Sequence, residues 1–428
     1  MLDVAFIYEN FDAVIQNCVN RNVTTDNVKV VVSLDRLRKS LEQSMQLNRQ
    51  TQNAASKQVA QEKNPELRQV LVDDSRRLRQ EIAKTEKELE EVNRKLREAL
   101  QTLPNMTHPA APVGKLESDS KVLKTIGTKP TFDFKPKDHV ALCDELKLAD
   151  FEAGASVAGQ KFYFLKNEAV LLELALVNYA FGILVKHGFT PVITPDVARV
   201  EVLEGTGFMP RGEGTQIYTL AGTDLCLVAT AEITLGGMHR DQILEEAQLP
   251  ILYAGLSHCF RTEAGAPGRD TRGLYRVHQF TKVEMFAFTT PEQSEELHQQ
   301  LLAIEEEIFT GLGLTFQVLD IASGDLGGPA YRKYDLEAWM PGRGEAGEFG
   351  EVTSTSNCTD FQARRLNIRY KGPKHKGTRF VHTLNGTAVA VTRALVAILE
   401  TYQQADGSVV VPAALRPWVG KDRIGPRK

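Results

Sequence analysis

The sequence predicts an α+β fold in which an N-terminal helical hairpin precedes a larger domain of strands and helices. The first hundred residues carry a heptad pattern of apolar residues, and from Asp138 onward the pattern changes to strands and helices of ordinary length. Within the second part, residues 257–288 are typical of a long β-hairpin. Because a chain of 428 residues exceeds the usual size of one domain, two domains are expected.

The first domain, residues 1–103, is predicted to be an antiparallel coiled-coil hairpin. Apolar side chains in residues 68–100 follow a heptad spacing without Gly or Pro, and a weaker seam runs through residues 34–59. A proline follows residue 64 and separates the two helices, because proline stops one helix and can open the next. The tip of the hairpin is therefore expected near residue 64, and its first helix is expected to begin within residues 26–33.

The outer faces of this hairpin are rich in basic side chains, with acidic side chains interspersed. One interpretation is a solvated coiled-coil surface stabilised by i,i+4 ion pairs, and the other is an arm that binds RNA phosphates. Four prolines in residues 104–135 predict a linker with little regular structure, which leaves residues 136–428 as the second domain. The basic residues of the hairpin are Arg49, Lys57, Arg68, Arg76, Arg77, Arg79, Lys84 and Lys87.

Composition and cysteine usage argue against several classes of protein. The net charge of −4 does not indicate a nucleic-acid binder, so any RNA contact must come from local patches. The five cysteines form no CxxC pair and the chain has no HExxH motif, which predicts a reduced, cytoplasmic protein without a zinc site. Acidic residues interrupt the N-terminal apolar residues, so no signal peptide is expected. The apolar runs look too short for a membrane span, and no membrane partner is expected.

The predicted β-hairpin brings together side chains that suit a nucleotide and a zwitterion. Its first strand is expected to end in Arg261-Thr262-Glu263, and its return strand to carry Phe280 and Glu284. Alternation would place Arg261 with Glu263, and Phe280 with Glu284, on one face of each strand. Arginine matches phosphate, a carboxylate accepts an amino N–H, and a phenyl ring stacks on a base. The alternative is a surface hairpin whose charges are only solvated. The connecting loop contains Gly265, Gly268, Arg269, Arg272 and Gly273.

Three further stretches have the composition of binding segments. Thr230-Ala231-Glu232 could hold an ammonium group, although such a tripeptide is more often a helix start. Glu351 opens a stretch whose oxygens suit Mg²⁺ and would project with Thr353 along a strand, with a polar edge strand as the alternative. Arg393 lies in an apolar helix predicted over residues 388–399. A buried guanidinium needs an anionic partner unless its side chain extends to solvent.

These stretches together resemble the class II aminoacyl-tRNA synthetases, in the form found in seryl-tRNA synthetases. The sequence RTEAGxxGRDTRGLYRVHQFxKVE resembles motif 2, and HTLNGTAVAVTRALVAILE resembles motif 3. Residues 351–365 are similar to the family pattern E-[VI]-x-S-x-S-N-x-x-D-F-Q-A-R-R, and the TAE tripeptide precedes motif 2 as in the family. Residues 171–195, an amphipathic helix followed by a turn and a strand that ends in proline, resemble motif 1. The resemblance covers essentially the whole chain.

The resemblance implies a serine–tRNA ligase that uses ATP and is built on a mainly antiparallel sheet flanked by helices. Motif 1 builds the dimer interface in that family, so a homodimer is expected. Mg²⁺ is the metal expected with ATP, and no zinc is expected. The N-terminal hairpin would then bind the long variable arm of tRNA(Ser), and family members can also charge tRNA(Sec).

The resemblance also implies a role for individual residues. Arg261 and Arg393 are the expected catalytic residues, because in the family they bind the α- and γ-phosphates. The glycine-rich residues 342–350 have no close counterpart. The expected L-serine ligands are Thr230, Ala231, Glu232, Glu284, Asn385 and Thr387. The expected ATP contacts are Arg261, Thr262, Glu263, Val277, Phe280, Glu351, Val352, Thr353, Ser354 and Arg393, and Glu351 and Ser354 would also hold the metal.

Two other classes of protein stay open on the residues alone. One is a ligase that adenylates an amino acid but loads a carrier protein, a reaction that needs no long RNA-binding arm. The other is a non-catalytic coiled-coil scaffold that binds RNA. The simultaneous presence of Arg261, Glu263 and Arg393 argues against the scaffold.

Overall fold

The chain divides into two compact units, Met1–Met106 and Thr107–Lys428. The structure, a computed structural model, describes residues 1–208, 216–263, 272–373 and 376–426. Part of the predicted glycine- and arginine-rich loop, with Gly265, Gly268 and Arg269, lies outside the described residues.

The first unit is helical. Its helices are α1 (Val4–Glu9), α2 (Phe11–Asn20), α3 (Asp26–Gln61) and α4 (Pro65–Thr102). Helices α3 and α4 form a hairpin, and the Asn64 side chain caps α4 by accepting a hydrogen bond from the backbone N–H of Glu66 at 2.9 Å. Pro65 is compatible with the first position of α4, because the first N–H groups of a helix have no partner within it. The predicted helical hairpin with its tip near residue 64 is confirmed.

The apolar core of the first unit lies at the end of the hairpin opposite its tip. The sequence reading did not anticipate α1 and α2, which pack here against the start of α3 and the end of α4. Nearer the tip, Leu47, Leu67 and Val70 are exposed. Apolar burial stabilises in proportion to the area removed from water, so the stability of this unit is concentrated at its base. The buried members of the base cluster are Leu2, Ile7, Val14, Cys18, Val28, Val31, Leu96, Leu100 and Leu103.

The second unit combines strands and helices. Its strands are β1 (Lys121–Ile126), β2 (Ala149–Asp150), β3 (Phe164–Leu165), β4 (Thr190–Ile193), β5 (Val197–Arg199), β6 (Leu225–Leu227), β7 (Ile243–Glu245), β8 (Ile251–Phe260), β9 (Gln279–Thr289), β10 (Phe316–Asp320), β11 (Arg332–Met340), β12 (Glu348–Thr359), β13 (Arg369–Lys371), β14 (Arg379–Phe380), β15 (His382–Ala390), β16 (Val409–Val410) and β17 (Arg423–Ile424). Its helices are α5 (His139–Leu146), α6 (Phe151–Ala158), α7 (Glu168–Lys186), α8 (Val200–Thr206), α9 (Ala231–Gly237), α10 (Ser294–Gly311), α11 (Phe361–Leu366), α12 (Val391–Tyr402) and α13 (Arg416–Val419).

An eight-stranded, mainly antiparallel sheet forms the centre of the described part of the second unit, in the order β1-β10-β11-β12-β15-β9-β8-β4. Strands β4 and β8 are parallel. Along β9, Val283, Met285 and Ala287 belong to a large apolar cluster with residues of α7, α10 and α12. Lys282 and Glu284 alternate with them and therefore project from the opposite face. One face of the sheet is covered by helices, and the other carries charged side chains near its centre.

The structure corrects two predicted boundaries and the predicted linker. Strand β8 ends at Phe260, so Arg261-Thr262-Glu263 lies beyond the strand. The predicted helix over residues 388–399 begins only at Val391, because the three preceding residues belong to β15, which pairs with β9. Residues 121–126 of the expected linker, 104–135, form β1 and pair with β10, so this stretch is part of the sheet.

Helix α7 is mostly apolar. Contrary to the expectation from the sequence, it is long and apolar enough to cross a membrane by length and composition. Half of this apolar stretch is buried inside the unit, where Leu172, Leu176 and Leu184 belong to the main core. It therefore packs as a core helix, while Leu171 and Leu174 remain exposed on its outer side.

Candidate active site

The polar centre of the sheet lines a cleft. The cleft unites the hairpin β8–β9, the middle of β12, and the junction of β15 and α12. Thr262 lies between two lining residues, and the remaining predicted site residues adjoin the cleft or lie beneath it. The predicted residues that line it are Arg261, Glu263, Val277, Phe280, Glu351, Val352, Thr353, Thr387 and Arg393, and the unpredicted ones are Tyr275, Arg276, Lys282, Ala390 and Thr392.

Arg393, in the first turn of α12, forms an ion pair with Glu351. Its Nη1 atom lies 3.0 Å from the carboxylate and also donates to the Glu351 carbonyl at 3.1 Å. Burial alone would raise the pKa of Glu351, but the charges of Arg393, Lys333 and Arg261 outweigh it and hold that pKa below its ordinary value. The Tyr275 ring lies 4.9 Å from the Arg393 guanidinium, and its hydroxyl donates to the Glu351 carbonyl at 3.1 Å. Glu351 is thus the anionic partner that a buried arginine requires.

A β-bulge brings Glu351 and Ser354 to the same face of β12. Consecutive residues of β11 pair with Glu351 and Thr353, which leaves Val352 as an extra residue. Because one extra residue shifts the alternation, Glu351 shares a face with Ser354, and the expectation that it projects with Thr353 is wrong. Asp335 of β11 lies directly opposite Ser354, so two carboxylates and a hydroxyl occupy this face.

The oxygen atoms on this face could supply some, but not all, of the ligands of a hard cation. Asp335 is buried, Lys333 lies 3.2 Å from one of its oxygens, and the other oxygen has no hydrogen-bond partner among the described residues. No group of three or more His, Cys, Asp or Glu side chains in the described ranges is arranged to hold a metal ion. A cation held by Glu351 and Ser354 would complete its coordination with phosphate and water, as Mg²⁺ commonly does.

The other end of the cleft carries an aromatic ring beside Arg261. The guanidinium lies 5.2 Å from the centroid of the Phe280 ring, and Nε donates to the Ala229 carbonyl at 3.4 Å. Glu263 has a positive φ of 49° and forms an ion pair with Arg276 at 3.6 Å. A left-handed conformation is uncommon for a residue with a side chain, and here it turns the Glu263 carboxylate into the cleft. The turn, and not strand alternation, places Glu263 near Arg261.

Thr230 and Glu232 begin helix α9, so the helix-start interpretation of the TAE tripeptide is correct in geometry. The Thr230 hydroxyl accepts a hydrogen bond from the backbone N–H of Glu232 at 3.2 Å. The buried carboxylate of Glu232 accepts from Gln362 at 2.7 Å and from Asn385 at 3.1 Å. Ala231 packs in an apolar cluster beside them. Three stretches far apart in the sequence therefore meet at this carboxylate.

The Glu232 carboxyl is poised between its two protonation states near neutral pH. Burial raises its pKa to about 7, and the negative charge of Glu284 adds to that effect. A cation bound beside it would favour the ionised form and lower the pKa again. The site therefore suits an ammonium group, and we expect binding of that group to release a proton below neutral pH.

A second bulge shapes the neighbouring pocket. Val389 and Thr387 pair with consecutive residues of β9, which leaves Ala388 as an extra residue and sets Thr387 directly opposite Glu284. The Thr387 hydroxyl donates to Glu284 at 3.2 Å. Lys282 forms an ion pair with Glu284 and lies 3.4 Å from the Thr387 hydroxyl. This buried, hydrogen-bonded group suits a ligand that brings a hydroxyl of its own.

Sequence reasoning missed several residues of the site. Lys282 could have been found, because it lies between Phe280 and Glu284 and shares their face. Gln362 lies in the recognised D-F-Q-A-R-R pattern, but its contact with Glu232 depends on packing. Asp335 gave no usable signal, since its position depends on register between strands. The missed residues are Tyr275, Arg276, Lys282, Asp335 and Gln362.

The fold and the cleft define a class of protein. Residues 218–402 match the family model described as tRNA synthetase class II core domain (G, H, P, S and T). Residues 1–107 match the family model described as Seryl-tRNA synthetase N-terminal domain. The second unit, with its antiparallel sheet and flanking helices, contains a class II synthetase core.

Full-length relatives narrow this class to one family. The chain is 58% identical to serine–tRNA ligase from Treponema denticola over 99% of this chain and 100% of that protein, and 54% identical to that from Rubrobacter xylanophilus over 100% of both. The crystal structure of seryl-tRNA synthetase from Pyrococcus horikoshii complexed with ATP superimposes with a TM-score of 0.93, at 40% identity and full coverage of both chains. The chain belongs to the seryl-tRNA synthetase family. It is an ATP-dependent serine–tRNA ligase, which confirms the family, the fold class and the reaction expected from the sequence.

The protonation of Glu232 predicts how serine binding depends on pH. Affinity for L-serine should rise between about pH 5 and about pH 7 and then level off, because binding favours the ionised carboxylate. Calorimetry near pH 6 in two buffers of different ionisation enthalpy should detect proton release on binding.

Glu232→Gln should bind serine weakly and release no proton, whereas Glu245→Gln, which changes an exposed carboxylate on β7, should behave like the wild type. Equal proton release from Glu232→Gln and the wild type would contradict this assignment.

Proposed function

We propose that the cleft binds ATP and L-serine side by side, and that charge placement by the residues described above carries most of the catalysis. The observation that supports this is the convergence of Arg261, Arg393 and Glu351 on one cleft next to the buried group around Glu232. Arg261 neutralises the α-phosphate and the serine carboxylate, and Arg393 holds the γ-phosphate. Arginine suits both tasks because its planar, permanent charge matches carboxylate and phosphate oxygens.

The adenine end of the proposed site uses the hairpin. Phe280 stacks on the base, and Glu263 accepts a hydrogen bond from the adenine amino group. Thr262 and Val277 contribute backbone around the nucleotide. The Arg261 guanidinium beside the Phe280 ring supports this arrangement, because it sets the phosphate-binding charge next to the stacking surface.

The serine end of the proposed site separates the three polar groups of the amino acid. Thr230 and Glu232 bind the ammonium, with Ala231 and Asn385 beside them, while Glu284 and Thr387 surround the hydroxyl. A site built to hydrogen-bond a substrate hydroxyl rejects alanine, because its buried polar groups would be left unpaired.

Glu351 and Ser354 are the proposed ligands of Mg²⁺ bound with ATP, supported by the bulge that sets them on one face. The metal supplies charge neutralisation for the phosphates when it is bound. Val352 and Thr353 contribute the backbone of the same strand.

Two transfers complete the proposed reaction. The serine carboxylate attacks the α-phosphorus of ATP, the bond to the β-phosphate oxygen breaks, and pyrophosphate leaves. The 3′-OH of the tRNA then attacks the seryl carbonyl carbon, and AMP leaves with the bonding electrons. The residues orient the two reactants and stabilise developing charge, which are the effects that lower such barriers most.

The N-terminal hairpin is proposed to bind the variable arm of tRNA(Ser). Toward its base, Arg94 pairs with Glu91 and with Glu98. Nearer the tip, Arg77 pairs with Asp74, whereas Arg68, Arg76 and Arg79 form no ion pair with a described residue. Cations without a protein partner are the ones available to phosphates, so this distribution favours RNA binding toward the tip.

A homodimer is proposed through residues 171–195. Strand β4 is an edge of the sheet, and its Ile193 is 82% exposed, while Leu174 of α7 is 55% exposed. Exposed apolar side chains beside an open strand edge indicate a surface that another chain covers. A second copy is the proposed occupant, since the same stretch resembles motif 1. A cytoplasmic location is proposed as well, supported by five free cysteines, all buried.

Removing Arg393 should disable activation. Arg393→Ala is expected to lower serine-dependent pyrophosphate exchange at least ~100-fold, which corresponds to about 2.7 kcal/mol and to the loss of a charge-assisted contact. Arg369→Ala, which removes an arginine that stacks on Phe380 away from the cleft, serves as the control and should keep near-normal exchange. A folded Arg393→Ala variant with unchanged exchange would refute the assignment.

Shortening the hairpin should separate the two half-reactions. In this variant a short Gly/Ser linker replaces residues 42–93. The base cluster is kept, and the outer part of the hairpin, where the Arg49–Glu86 ion pair joins α3 to α4, is removed. Pyrophosphate exchange should persist within several-fold, while tRNA charging collapses and the salt dependence of tRNA affinity flattens. Unchanged charging kinetics with unchanged salt dependence would show that the hairpin has only a structural role.

Introducing negatively charged side chains on the proposed dimer face should dissociate the dimer. Leu174→Asp combined with Ile193→Asp should halve the mass measured by light scattering, because desolvating two carboxylates opposes association. Val122→Asp, at the opposite sheet edge and similarly exposed, should leave the mass unchanged. A wild-type chain that is monomeric at micromolar concentration would contradict the proposal.

A further inference from the structure

A buried carboxylate outside the cleft ties two segments, at His139 and at Gly342, to the helix that carries Arg393. Glu400 lies seven residues, or about two turns, after Arg393 on α12 and is only 1% exposed. One of its oxygens accepts from the backbone N–H of His139 at 3.0 Å and lies 2.9 Å from Nδ1 of the same residue. The other oxygen accepts from the backbone N–H of Gly342 at 2.9 Å. Three contacts to one carboxylate hold it in a single geometry.

The hydrogen bonds of His139 define its protonation state. The backbone N–H of Leu274 points at Nε2 from 3.1 Å, so Nε2 must be the acceptor. The ring proton then lies on Nδ1 and is donated to Glu400, which makes this imidazole the neutral Nδ1–H tautomer. Gly273 has a φ of +88°, and a Cβ atom there would collide with Nε2. Glycine at this position therefore permits the close approach of the backbone to the ring.

The segment held by His139 forms one wall of the cleft. Tyr275 follows Leu274 directly, its hydroxyl donates to the Glu351 carbonyl at 3.1 Å, and its ring lies 4.9 Å from Arg393. Arg276 comes next and pairs with Glu263 at 3.6 Å. Helix α12 supplies the other wall through Arg393. His139 and Glu400 line neither wall, and instead connect the two from behind.

We propose that His139 and Glu400 form a positioning brace for the triphosphate end of the ATP site. The brace fixes the segment from Gly273 to Arg276 against α12, so that the hairpin and the helix present their cationic groups at a constant separation. This inference rests on the proposed ATP site. Neither residue touches the reacting atoms, so both are positioning residues. Their loss should weaken ATP use while leaving the serine pocket, which depends on β9, β15 and α9, intact.

A cavity beside the imidazole makes this brace accessible to a chemical test. The His139 side chain is 12% exposed, and it lines a cavity of about 300 Å³ together with Arg272, Met340 and Arg343. Removing the ring would open this cavity to a molecule the size of imidazole. Free imidazole can donate through one nitrogen and accept through the other, as His139 does, whereas N-methylimidazole can only accept.

The experiment is pyrophosphate exchange by His139→Ala with and without imidazole. The KM for ATP should rise about 10-fold or more, because small displacements of positioning groups cost large factors in rate, while the KM for serine stays within about 3-fold. Imidazole should restore most of the ATP defect, and N-methylimidazole should not. His239→Ala is the matched control, since His239 also bonds at both ring nitrogens, to Gln242 and Tyr253, but lies away from the cleft.

Each outcome decides between a brace and a purely structural role. An unchanged KM for ATP, an equal rise in both KM values, or equal rescue by the two imidazoles would overturn the proposal. If His139→Ala does not fold, Glu400→Gln supplies the same test. The amide NH2 of the glutamine would then oppose the Gly342 N–H, and two donors cannot hydrogen-bond to each other. The same selective rise in KM for ATP is expected. Loss of exchange in Arg393→Ala with no effect in either brace variant would refute the brace and leave the ATP site standing.

Discussion

Burial of charge at the centre of the sheet is the constraint on which the cleft depends. An ionised side chain taken out of water is costly unless it is paired, and here Arg393 pairs with Glu351 and Lys282 with Glu284. These pairs fix the orientation of the charges that the proposed ATP and serine sites use. Preorganised charge of this kind needs no rearrangement as the reaction proceeds, which is why it stabilises a transition state efficiently.

Two buried carboxyl groups, Glu232 and Glu305, respond to the same constraint with a raised pKa. The pKa of Glu232 is raised to about 7 by burial, so it remains available to a bound cation. Glu305, on α10, is fully buried behind the sheet, and neither of its oxygens has a hydrogen-bond partner of acceptable geometry among the described residues. Burial raises the pKa of Glu305, which lies beside Thr353, well above its ordinary value. Burial therefore favours the uncharged form of these two carboxyl groups, which lie near the proposed serine site.

The sequence predicted the elements that depend on local patterns. The predictions failed where the pairing register between strands determines the structure. The heptad spacing and the break before Pro65 are local, so the hairpin and its tip followed directly. The end of β8 and the start of α12 were misplaced, because apolar residues such as Ala388 suit a strand or a helix equally well and pairing with β9 settles the matter. The bulge at Val352 depends on β11, which no property of β12 alone reveals. The motifs selected residues most of which line or adjoin one cleft, but the faces of these residues and their protonation depend on neighbours far away in the chain.

The charged groups of the two units differ in how strongly salt screens their interactions. The Lys282–Glu284 pair is almost fully buried, and a buried pair is screened little by salt. Arg68, Arg76 and Arg79 of the hairpin form no ion pair with a described residue and are exposed, and phosphate contacts at exposed cations weaken steeply as the salt concentration rises. The base cluster of the first unit consists of residues of that unit. If the hairpin binds tRNA as proposed, amino-acid activation and tRNA capture depend on interactions of different kinds, and a change in ionic strength should act mainly on tRNA capture.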